Sequence, residues 1–437
     1  MRERFCHVSR ITLYLKPVNQ PRMAMLTETE QRVLAHVDPD LVVRWTQELV
    51  RIDSVPRPGA EHVETEAARW VQARCQAMGL DTSLEWAAPG RPNVIAILPG
   101  TEPGRRLMFE GHTDVVTEGD QSAWTHDPFG AEIVEGRIYG RGANDMKGGL
   151  VAAMGAIKAI VDSGVRLKGD ILIGALADEE GLMLGVKDFV ARGWADTVTA
   201  AIVCEPEDNR LCVAHKGVLW LSVTIFGRMA HGAMPYTGIN PIVHMARFLS
   251  EIERLEQDAI ERFGRHEFLG VPSFSPTRVH GPALAAGEHG TNNVIPATCE
   301  ATLDIRMIPG MTVEGVVDDL ADIVQRLTNQ DETFRCELDI IDARPPIAIE
   351  RDAPIVEALA GATRGVAGRE PVWGGVPGST DGTILFTQGG VPVVTCGPGD
   401  TYIPHHVDEY LDIDQLVEAA RLYAVAALRY CGVAEGG

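Results

Sequence analysis

Four apolar segments of this chain are each followed by residues that can bind a metal ion. Every segment is short, is bounded by glycine or proline, and has the composition of a buried β-strand. In an open α/β sheet, ligands bind beyond the carboxyl ends of such strands. The pattern therefore predicts a sheet whose edge carries a metal centre. The segments and the candidate ligands that follow them are 107–111 with His112, 170–177 with Asp178, Glu179 and Glu180, 200–204 with Glu205, and 391–396 with His405 and His406.

The order of predicted elements divides the chain into two domains. Residues 39–215 alternate helical and strand patterns, which is typical of a mostly parallel sheet with crossover helices. Residues 216–343 instead show the order β-α-β-β-α-β, the ferredoxin-like motif. We therefore expect an α/β fold in which a mostly parallel-sheet domain, residues 25–215 and 344–437, is interrupted by an inserted ferredoxin-like α+β domain. Residues 1–24 are expected to be a disordered or mis-annotated N-terminal extension.

Charge and composition exclude several classes of partner. The 437 residues carry a formal net charge of −22, whereas nucleic acids and anionic membranes are bound by basic surfaces. No apolar run approaches the roughly 18 residues of a transmembrane helix. The eight cysteines are scattered without a C-x-x-C pair, which favours buried free thiols. We therefore expect a cytoplasmic protein that binds neither nucleic acid nor membrane.

The candidate donors, to which Asp145 in a glycine-rich segment is added, favour a divalent metal ion bound by oxygen and nitrogen. His112 offers an imidazole, and Asp145, Glu180 and Glu205 offer carboxylates. This set of donors without thiolates suits Zn²⁺, with Mn²⁺ or Co²⁺ as alternatives. Asp114 lies two residues after His112 and faces the same side of an extended segment. It can therefore accept the proton of the second imidazole nitrogen.

The adjacent acids Glu179 and Glu180 cannot readily bind one metal in the same way. A division of roles is expected, in which one binds metal and the other accepts a proton from water. Each signal also has an ordinary explanation, since acidic pairs commonly begin helices and Glu205 before Pro206 could lie in a solvated turn. Their joint occurrence at separate strand ends favours the metal centre.

Five segments, in order between about residues 40 and 430, resemble the metal-site motifs of the M20 metallopeptidase family. That family includes acetylornithine deacetylase, succinyl-diaminopimelate desuccinylase, aminoacylase-1 and glutamate carboxypeptidases. The resemblance implies two divalent metal ions and an inserted lid and dimerisation domain. The segments are 111–116 (GHTDVV), 140–149 (GRGANDMKGG), 178–181 (DEEG), 204–206 (CEP) and 405–410 (HHVDEY).

The resemblance also implies the roles of the ligands and the base. Asp145 would bridge the two metals, Glu179 would be the general base, and Asp114 would be the partner of His112. Members of the family can have a cis peptide bond after the bridging aspartate, here Asp145-Met146. One metal would be held by His112, Asp145 and Glu205, and the other by Asp145, Glu180 and His405.

Two adjacent histidines are candidates for the last ligand. His405 lies three residues before Asp408 and four before Glu409, which fits the H-x-x-D/N-E spacing of the family. His405 is therefore the predicted ligand, and His406 is the alternative.

The inserted domain and one later loop resemble the segments of the family that bind substrate. Residues 227–231 followed by 240–242 are similar to a lid segment whose histidine reaches an active site across a dimer. Residues 292–296 and 304–306 resemble segments that supply an amide and a guanidinium to the substrate. Residues 378–382 resemble a glycine-rich loop whose backbone can cradle a carboxylate. The residues implicated in this way are His231, Asn293, Arg306, Gly378, Ser379 and Thr380.

The resemblance therefore implies a homodimeric, dinuclear metal-dependent hydrolase that cleaves an amide C–N bond of a small carboxylate-bearing substrate. An N-acyl-amino acid deacylase is the leading hypothesis, and a carboxypeptidase or dipeptidase is the second. Hydrolysis of a non-peptide C–N bond, such as that of an aromatic amine, is the third. A catalytically silent binding protein should have lost a ligand or the base, whereas every expected position is filled here.

Overall fold

A computed structural model describes residues 26–57, 59, 63–281 and 292–435, so the predicted extension over 1–24 lies outside the described residues. The helices are α1 (Glu28–Leu34), α2 (Pro39–Val50), α3 (Thr65–Ala77), α4 (Gly148–Asp162), α5 (Leu184–Ala191), α6 (Pro241–Phe263), α7 (Val313–Gln330), α8 (Pro354–Val366), α9 (Asp381–Thr387) and α10 (Ile413–Cys431). Short helical turns lie at Gln121–Ala123, Ala143–Lys147, Ala195–Thr197 and Pro235–Thr237. The strands are β1 (Asp81–Ala88), β2 (Arg91–Leu98), β3 (Arg106–His112), β4 (Glu132–Val134), β5 (Arg137–Tyr139), β6 (Asp170–Leu176), β7 (Ala200–Val203), β8 (Leu211–His215), β9 (Gly217–Phe226), β10 (Ala230–His231), β11 (Ser273–His280), β12 (Val294–Ile295), β13 (Thr298–Met307), β14 (Arg335–Arg344), β15 (Ile347–Ala348), β16 (Trp373–Val376), β17 (Val393–Thr395) and β18 (Tyr410–Asp412).

The central sheet has parallel strands in its middle and antiparallel strands at its sides. Its strand order is β1-β2-β6-β3-β7-β17-β8-β15, and β16 also pairs with β8. Strands β6, β3, β7 and β17 are parallel neighbours. These are the four strands predicted to end at metal ligands, so their carboxyl ends lie side by side at one edge of the sheet.

The middle strands are buried because both faces of the sheet are covered. Phe109 of β3 points into a core shared with α4 and α10, and its ring centroid lies 5.2 Å from that of Tyr423. The preceding residue, Met108, points to the opposite face and packs with Phe189 of α5 and Leu385 of α9. Burial on both faces explains the continuous apolar runs of these strands.

A separate sheet forms the inserted domain. Its strand order is β11-β13-β9-β14, all antiparallel, with α6 and α7 packed on one face. Thr312 caps α7, since its side chain accepts a hydrogen bond from the N–H of Gly315. The predicted α/β fold with a ferredoxin-like insertion is confirmed, while the domain limits at 216 and 343 remain predictions. The two-residue strands β10 and β12, which pair with each other, were not predicted.

Two predictions about the chain as a whole can be compared with the described residues. No helix there has the length and apolar content needed to cross a membrane. The seven cysteines in this part of the chain all carry free thiols, and six of them are buried. Buried free thiols were the expected arrangement.

Candidate metal centre

The edge of the central sheet brings the predicted ligands together. His112 is the last residue of β3 and is fully buried. Its Nε2 lies 3.2 Å from Oδ1 of Asp145 and 3.6 Å from Oε1 of Glu205. On the other side, Nε2 of His405 lies 3.4 Å from Oδ2 of Asp145 and 3.1 Å from Oε1 of Glu180. Asp145 therefore presents one carboxylate oxygen to each imidazole.

The donor atoms of this cluster fit divalent cations. One donor atom each from His112, Asp145 and Glu180 lie within 4.8 Å of one another, as do donor atoms of His112, Glu179 and Glu205. Among the described residues, the ion pairs of these carboxylates are with histidine and none is with lysine or arginine. Carboxylates this close repel each other unless a cation or protons neutralise them. Oxygen and nitrogen donors without thiolates suit Zn²⁺ and similar ions.

The pKa values of the cluster reflect burial and close charges. Burial, together with repulsion from neighbouring carboxylates, raises the pKa of Glu179 and Glu205 well above the ordinary range. Burial alone would also raise the pKa of Asp145, but hydrogen bonds from the two histidines outweigh it and hold that pKa below its ordinary value. Asp145 and Glu180 raise the pKa of His405 to about 10. A metal that binds here must therefore displace protons.

Asp114 connects His112 to the turn that carries Glu179 and Glu180. The main-chain carbonyl of Asp114 accepts a hydrogen bond from Nδ1 of His112 at 2.9 Å, which leaves Nε2 facing Asp145. We expected the Asp114 carboxylate in that place, but its Oδ1 lies 3.5 Å from Nδ1. The carboxylate instead accepts the main-chain N–H groups of Glu179 and Glu180, each at 3.1 Å. Asp114 thus orients the imidazole and also holds the acidic turn.

Glu409 fixes the loop that presents Asp145. Its side chain is fully buried and forms an ion pair with Arg141. Its Oε1 also accepts the main-chain N–H groups of Gly142, Asn144 and Asp145 at 3.0, 2.9 and 3.0 Å. Glu409 was not predicted to be a functional residue. The only indication in the sequence is that Glu409 is the last residue of the H-x-x-D/N-E motif that begins at His405.

The structure turns His405, rather than His406, toward the cluster. His405 has a left-handed φ of 66°, and its Nε2 contacts Glu180. His406 makes no side-chain hydrogen bond or ion pair with the part of the chain that the structure describes. The peptide bond Asp145-Met146 is cis, as the resemblance implied.

A pocket opens beside the cluster, and the glycine-rich loop forms one wall of it. The pocket is lined by Gly378, Ser379 and Thr380 as well as by the acids of the cluster. Arg306 approaches this loop, because its Nη1 lies 3.8 Å from the position that a Cβ atom on Gly378 would occupy. Asp304 orients the guanidinium through hydrogen bonds of 2.7 and 3.0 Å. The structure therefore brings Arg306 and the loop together.

His231 and Asn293 lie together in the two-stranded ribbon of the inserted domain. His231 is exposed and pairs with Val294 in the ribbon, and the N–H of Gly232 donates to the carbonyl of Asn293 at 2.6 Å. The Nδ1 atom of His231 accepts the main-chain N–H of Ala233. Within the described ranges, neither side chain contacts the metal cluster through a hydrogen bond or ion pair. Neither residue is among those described as lining the pocket beside the cluster.

Comparison with known proteins identifies the family. The profile of Peptidase family M20/M25/M40 matches residues 108–429. The chain belongs to this family. It is 30% identical over 402 residues to a succinyl-diaminopimelate desuccinylase of Methylobacterium radiotolerans. The aligned region covers 89% of this chain and 96% of the relative.

Solved structures of other M20 proteins share the fold. An M20 metallo-carboxypeptidase of Sulfolobus solfataricus has a TM-score of 0.72 and 19% identity, and the alignment covers 89% of this chain and 99% of that one. A dinuclear metal-binding M20 peptidase of Bacillus subtilis has a TM-score of 0.66 and 17% identity, over 89% of this chain and 97% of that one. The M20 protein described here is a metal-dependent amide hydrolase, which confirms the predicted enzyme class. The roles of individual residues remain predictions.

Proposed function

We propose that this M20 enzyme is an N-acyl-amino acid deacylase that uses two divalent metal ions, with Zn²⁺ as the first candidate and Mn²⁺ or Co²⁺ as alternatives. The observation that carries the metal pair is the position of Asp145, whose two oxygens face different histidines. The choice of a deacylase is supported by the 30% identity to the desuccinylase relative. Glu205 lies beside the first histidine and Glu180 beside the second. One metal would be held by His112, Asp145 and Glu205, and the other by Asp145, Glu180 and His405.

Glu179 is the proposed general base. When bound, the metals would supply Lewis acidity, which lowers the pKa of a water molecule and polarises the substrate carbonyl. Glu179 lines the pocket beside the cluster, and burial raises the pKa of its carboxyl. A carboxylate of raised pKa can take a proton from the attacking water and return it to the leaving nitrogen. The hydrogen bond from its main-chain N–H to Asp114 keeps it in place.

Arg306 and the glycine-rich loop are proposed to bind the carboxylate of the substrate. A guanidinium binds a carboxylate through two parallel hydrogen bonds, which fixes orientation as well as affinity. The pairing with Asp304 holds the Arg306 guanidinium near Gly378. The amide to be cleaved would then lie between this anchor and the acids of the cluster. A substrate without a carboxylate would lack the anchor.

His231 is proposed to act on the site of a partner subunit in a homodimer. It is exposed in the ribbon of the inserted domain, beside Asn293. A histidine from the partner could donate a hydrogen bond to the oxyanion that develops on the substrate carbonyl.

We also propose that the enzyme works in the cytoplasm, which is supported by the free thiols of the described cysteines.

A substrate panel tests the proposed reaction. Purified enzyme is assayed with Zn²⁺, Mn²⁺ or Co²⁺ on N-acetyl- and N-succinyl-amino acids, dipeptides and aminobenzoates. The proposal predicts the highest kcat/KM for an N-acyl-amino acid, in line with the desuccinylase relative. Cleavage of dipeptides alone would replace the deacylase by a dipeptidase, and cleavage of aminobenzoates alone would indicate an aminohydrolase.

A further inference from the structure

The acidic turn formed by residues 178–181, here named the catalytic turn, is held from three directions. Asp114 accepts two of its main-chain N–H groups. Arg91 forms an ion pair with Asp178 at its first position. Arg344 donates from Nη2 to the main-chain carbonyl of Gly181 at 3.1 Å. Asp114 and Arg91 belong to the central domain, whereas Arg344 is the last residue of β14 in the inserted sheet.

The guanidinium of Arg344 is fixed to the inserted sheet. Its Nε donates to Oδ2 of Asp342 on the same strand at 2.7 Å, and only 8% of the Arg344 side chain is exposed. The guanidinium carbon also lies 5.7 Å from the ring centroid of Trp220 on the neighbouring strand β9. These contacts tie the Arg344 guanidinium to the inserted sheet, while its Nη2 reaches the catalytic turn.

The chain crosses between the two domains beside Arg344. A Cβ atom on Gly217, where β9 begins, would lie 2.7 Å from the carbonyl oxygen of Arg344 and 2.5 Å from the nitrogen of Pro346. The two connections between the domains are therefore in close contact. Rotation about such connections moves the inserted sheet as a body, and Arg344 would move relative to Gly181.

We propose that Arg344 is a positioning residue that couples the placement of the inserted domain to the geometry of the catalytic turn. This inference rests on the proposed function, because it assumes that Glu179 and Glu180 of the turn act in hydrolysis. Arg306, the proposed carboxylate anchor, lies on β13 of the same sheet as Arg344. A substrate held between Arg306 and the glycine-rich loop would fix the position of the inserted sheet. Arg344 would then hold Glu179 and Glu180 of the catalytic turn in position.

The test compares three variants of the full-length protein. Arg344→Ala removes the contact with the turn, and Arg344→Lys keeps a single cationic donor. Arg351→Ala is the matched control, since Arg351 pairs with Glu267 of the inserted domain at 2.9 Å without touching the turn. The readouts are amide hydrogen exchange of residues 178–184 in metal-free protein, and kcat, KM and thermal unfolding of metal-loaded protein.

Arg344→Ala is expected to speed amide exchange of the turn by about tenfold or more, because a hydrogen bond to a charged donor is lost. It should lower kcat by about ten- to a hundredfold, the effect of a small misplacement of reacting groups, and change KM by less than about threefold. Arg344→Lys should recover part of the kcat, and added methylguanidinium should recover part of the activity of Arg344→Ala. Arg351→Ala should match the wild type in turn exchange and kcat.

A folded Arg344→Ala variant with wild-type turn exchange and kcat would overturn the coupling, and so would an equal loss of kcat in Arg351→Ala. If Arg344→Ala does not fold, Asp342→Ala, which releases the guanidinium, is expected to lower kcat to a smaller extent. Wild-type kcat in folded Asp342→Ala would then overturn the proposal. If the wild type hydrolyses no N-acyl-amino acid, the proposed function fails, whereas the exchange measurement still tests the coupling.

Discussion

At the scale of single residues, the neighbours Glu179 and Glu180 have different surroundings. Oε1 of Glu180 lies 3.1 Å from Nε2 of His405, whereas the Glu179 side chain makes no hydrogen bond within the described residues and lines the pocket. The sequence could predict that the two acids divide their roles, because adjacent side chains cannot bind one metal equivalently. It could not give the role of the Asp114 carboxylate, because the turn that it holds lies 65 residues further along the chain.

The division of roles predicts opposite effects of two alanine substitutions. Glu179→Ala should keep its metal and lose about 10²- to 10⁴-fold in kcat, the contribution of a general base. Glu180→Ala should lose metal, because a ligand is removed. Metal content by elemental analysis and kcat are measured on both purified variants. Full activity in Glu179→Ala would contradict the assignment of the base.

The buried His215 is expected to make the folded protein less stable as the pH falls. It is 1% exposed, and burial lowers its pKa to about 3, compared with about 6.5 in an unfolded chain. As the pH falls below 6.5, the unfolded chain gains a proton that the folded chain does not, so stability is lost down to about pH 3. Between pH 6.5 and 5 the loss should be about 1.5–2 kcal/mol.

The control for this pH effect is His215→Gln, which cannot titrate. Urea unfolding of metal-free protein is measured at pH 6.5 and pH 5 for the wild type and the variant. The variant should lose less stability over this range, since other titrating groups are common to both proteins. The same loss in both would show that His215 is not the source of the effect.

At the scale of elements, the central strands and their edge could be predicted because each strand is a continuous apolar run with a ligand beyond its end. Their order could not be derived from the runs themselves, since neighbours such as β3 and β7 are far apart in sequence. The ribbon of β10 and β12 was missed because two residues carry no periodic pattern. Glu409 was missed for a related reason, since its partners lie in a loop more than 260 residues earlier in the chain.

We expect Glu409→Gln to lower the free energy of unfolding strongly, because Glu409 holds the loop before α4. The substitution leaves Arg141, which is 2% exposed, without its counter-charge, and a broken buried ion pair costs about 3–5 kcal/mol. The matched control is Glu418→Gln, because the pair of Glu418 with Arg369 is 30% and 39% exposed and is worth at most about 1 kcal/mol. Urea unfolding measures the free energy of unfolding of both variants. An equally small loss of stability in Glu409→Gln and Glu418→Gln would contradict the role of Glu409 in holding the loop.

At the scale of the whole molecule, the proposed role of His231 depends on a partner subunit. The inserted domain brings Arg306 near the glycine-rich loop of its own chain, but it leaves His231 exposed in the ribbon. The sequence could identify both residues through the resemblance. It could not show that Arg306 approaches the glycine-rich loop of its own chain while His231 makes no contact with the metal cluster, because that depends on how the inserted sheet is placed.

Mixing two inactive variants tests the action of His231 across subunits. His231→Ala and Glu179→Ala should each be nearly inactive alone. In mixed dimers, one site combines an intact Glu179 with an intact partner histidine, so an equal mixture should regain about a quarter of wild-type activity. Subunit exchange is verified by gel filtration and mass spectrometry. A strict monomer with full activity, or no recovery in verified mixed dimers, would remove the role of His231 in trans.

The most direct test of the proposed metal centre is the return of activity when metal is added to metal-free enzyme. Hydrolysis of an N-acyl-amino acid is followed while Zn²⁺, Mn²⁺ or Co²⁺ is titrated in. We expect no activity without metal and a plateau at about two ions per chain, as for a co-catalytic pair. If the protein binds no metal at this cluster, or hydrolyses the substrate equally well without it, the proposed metal-dependent reaction is wrong.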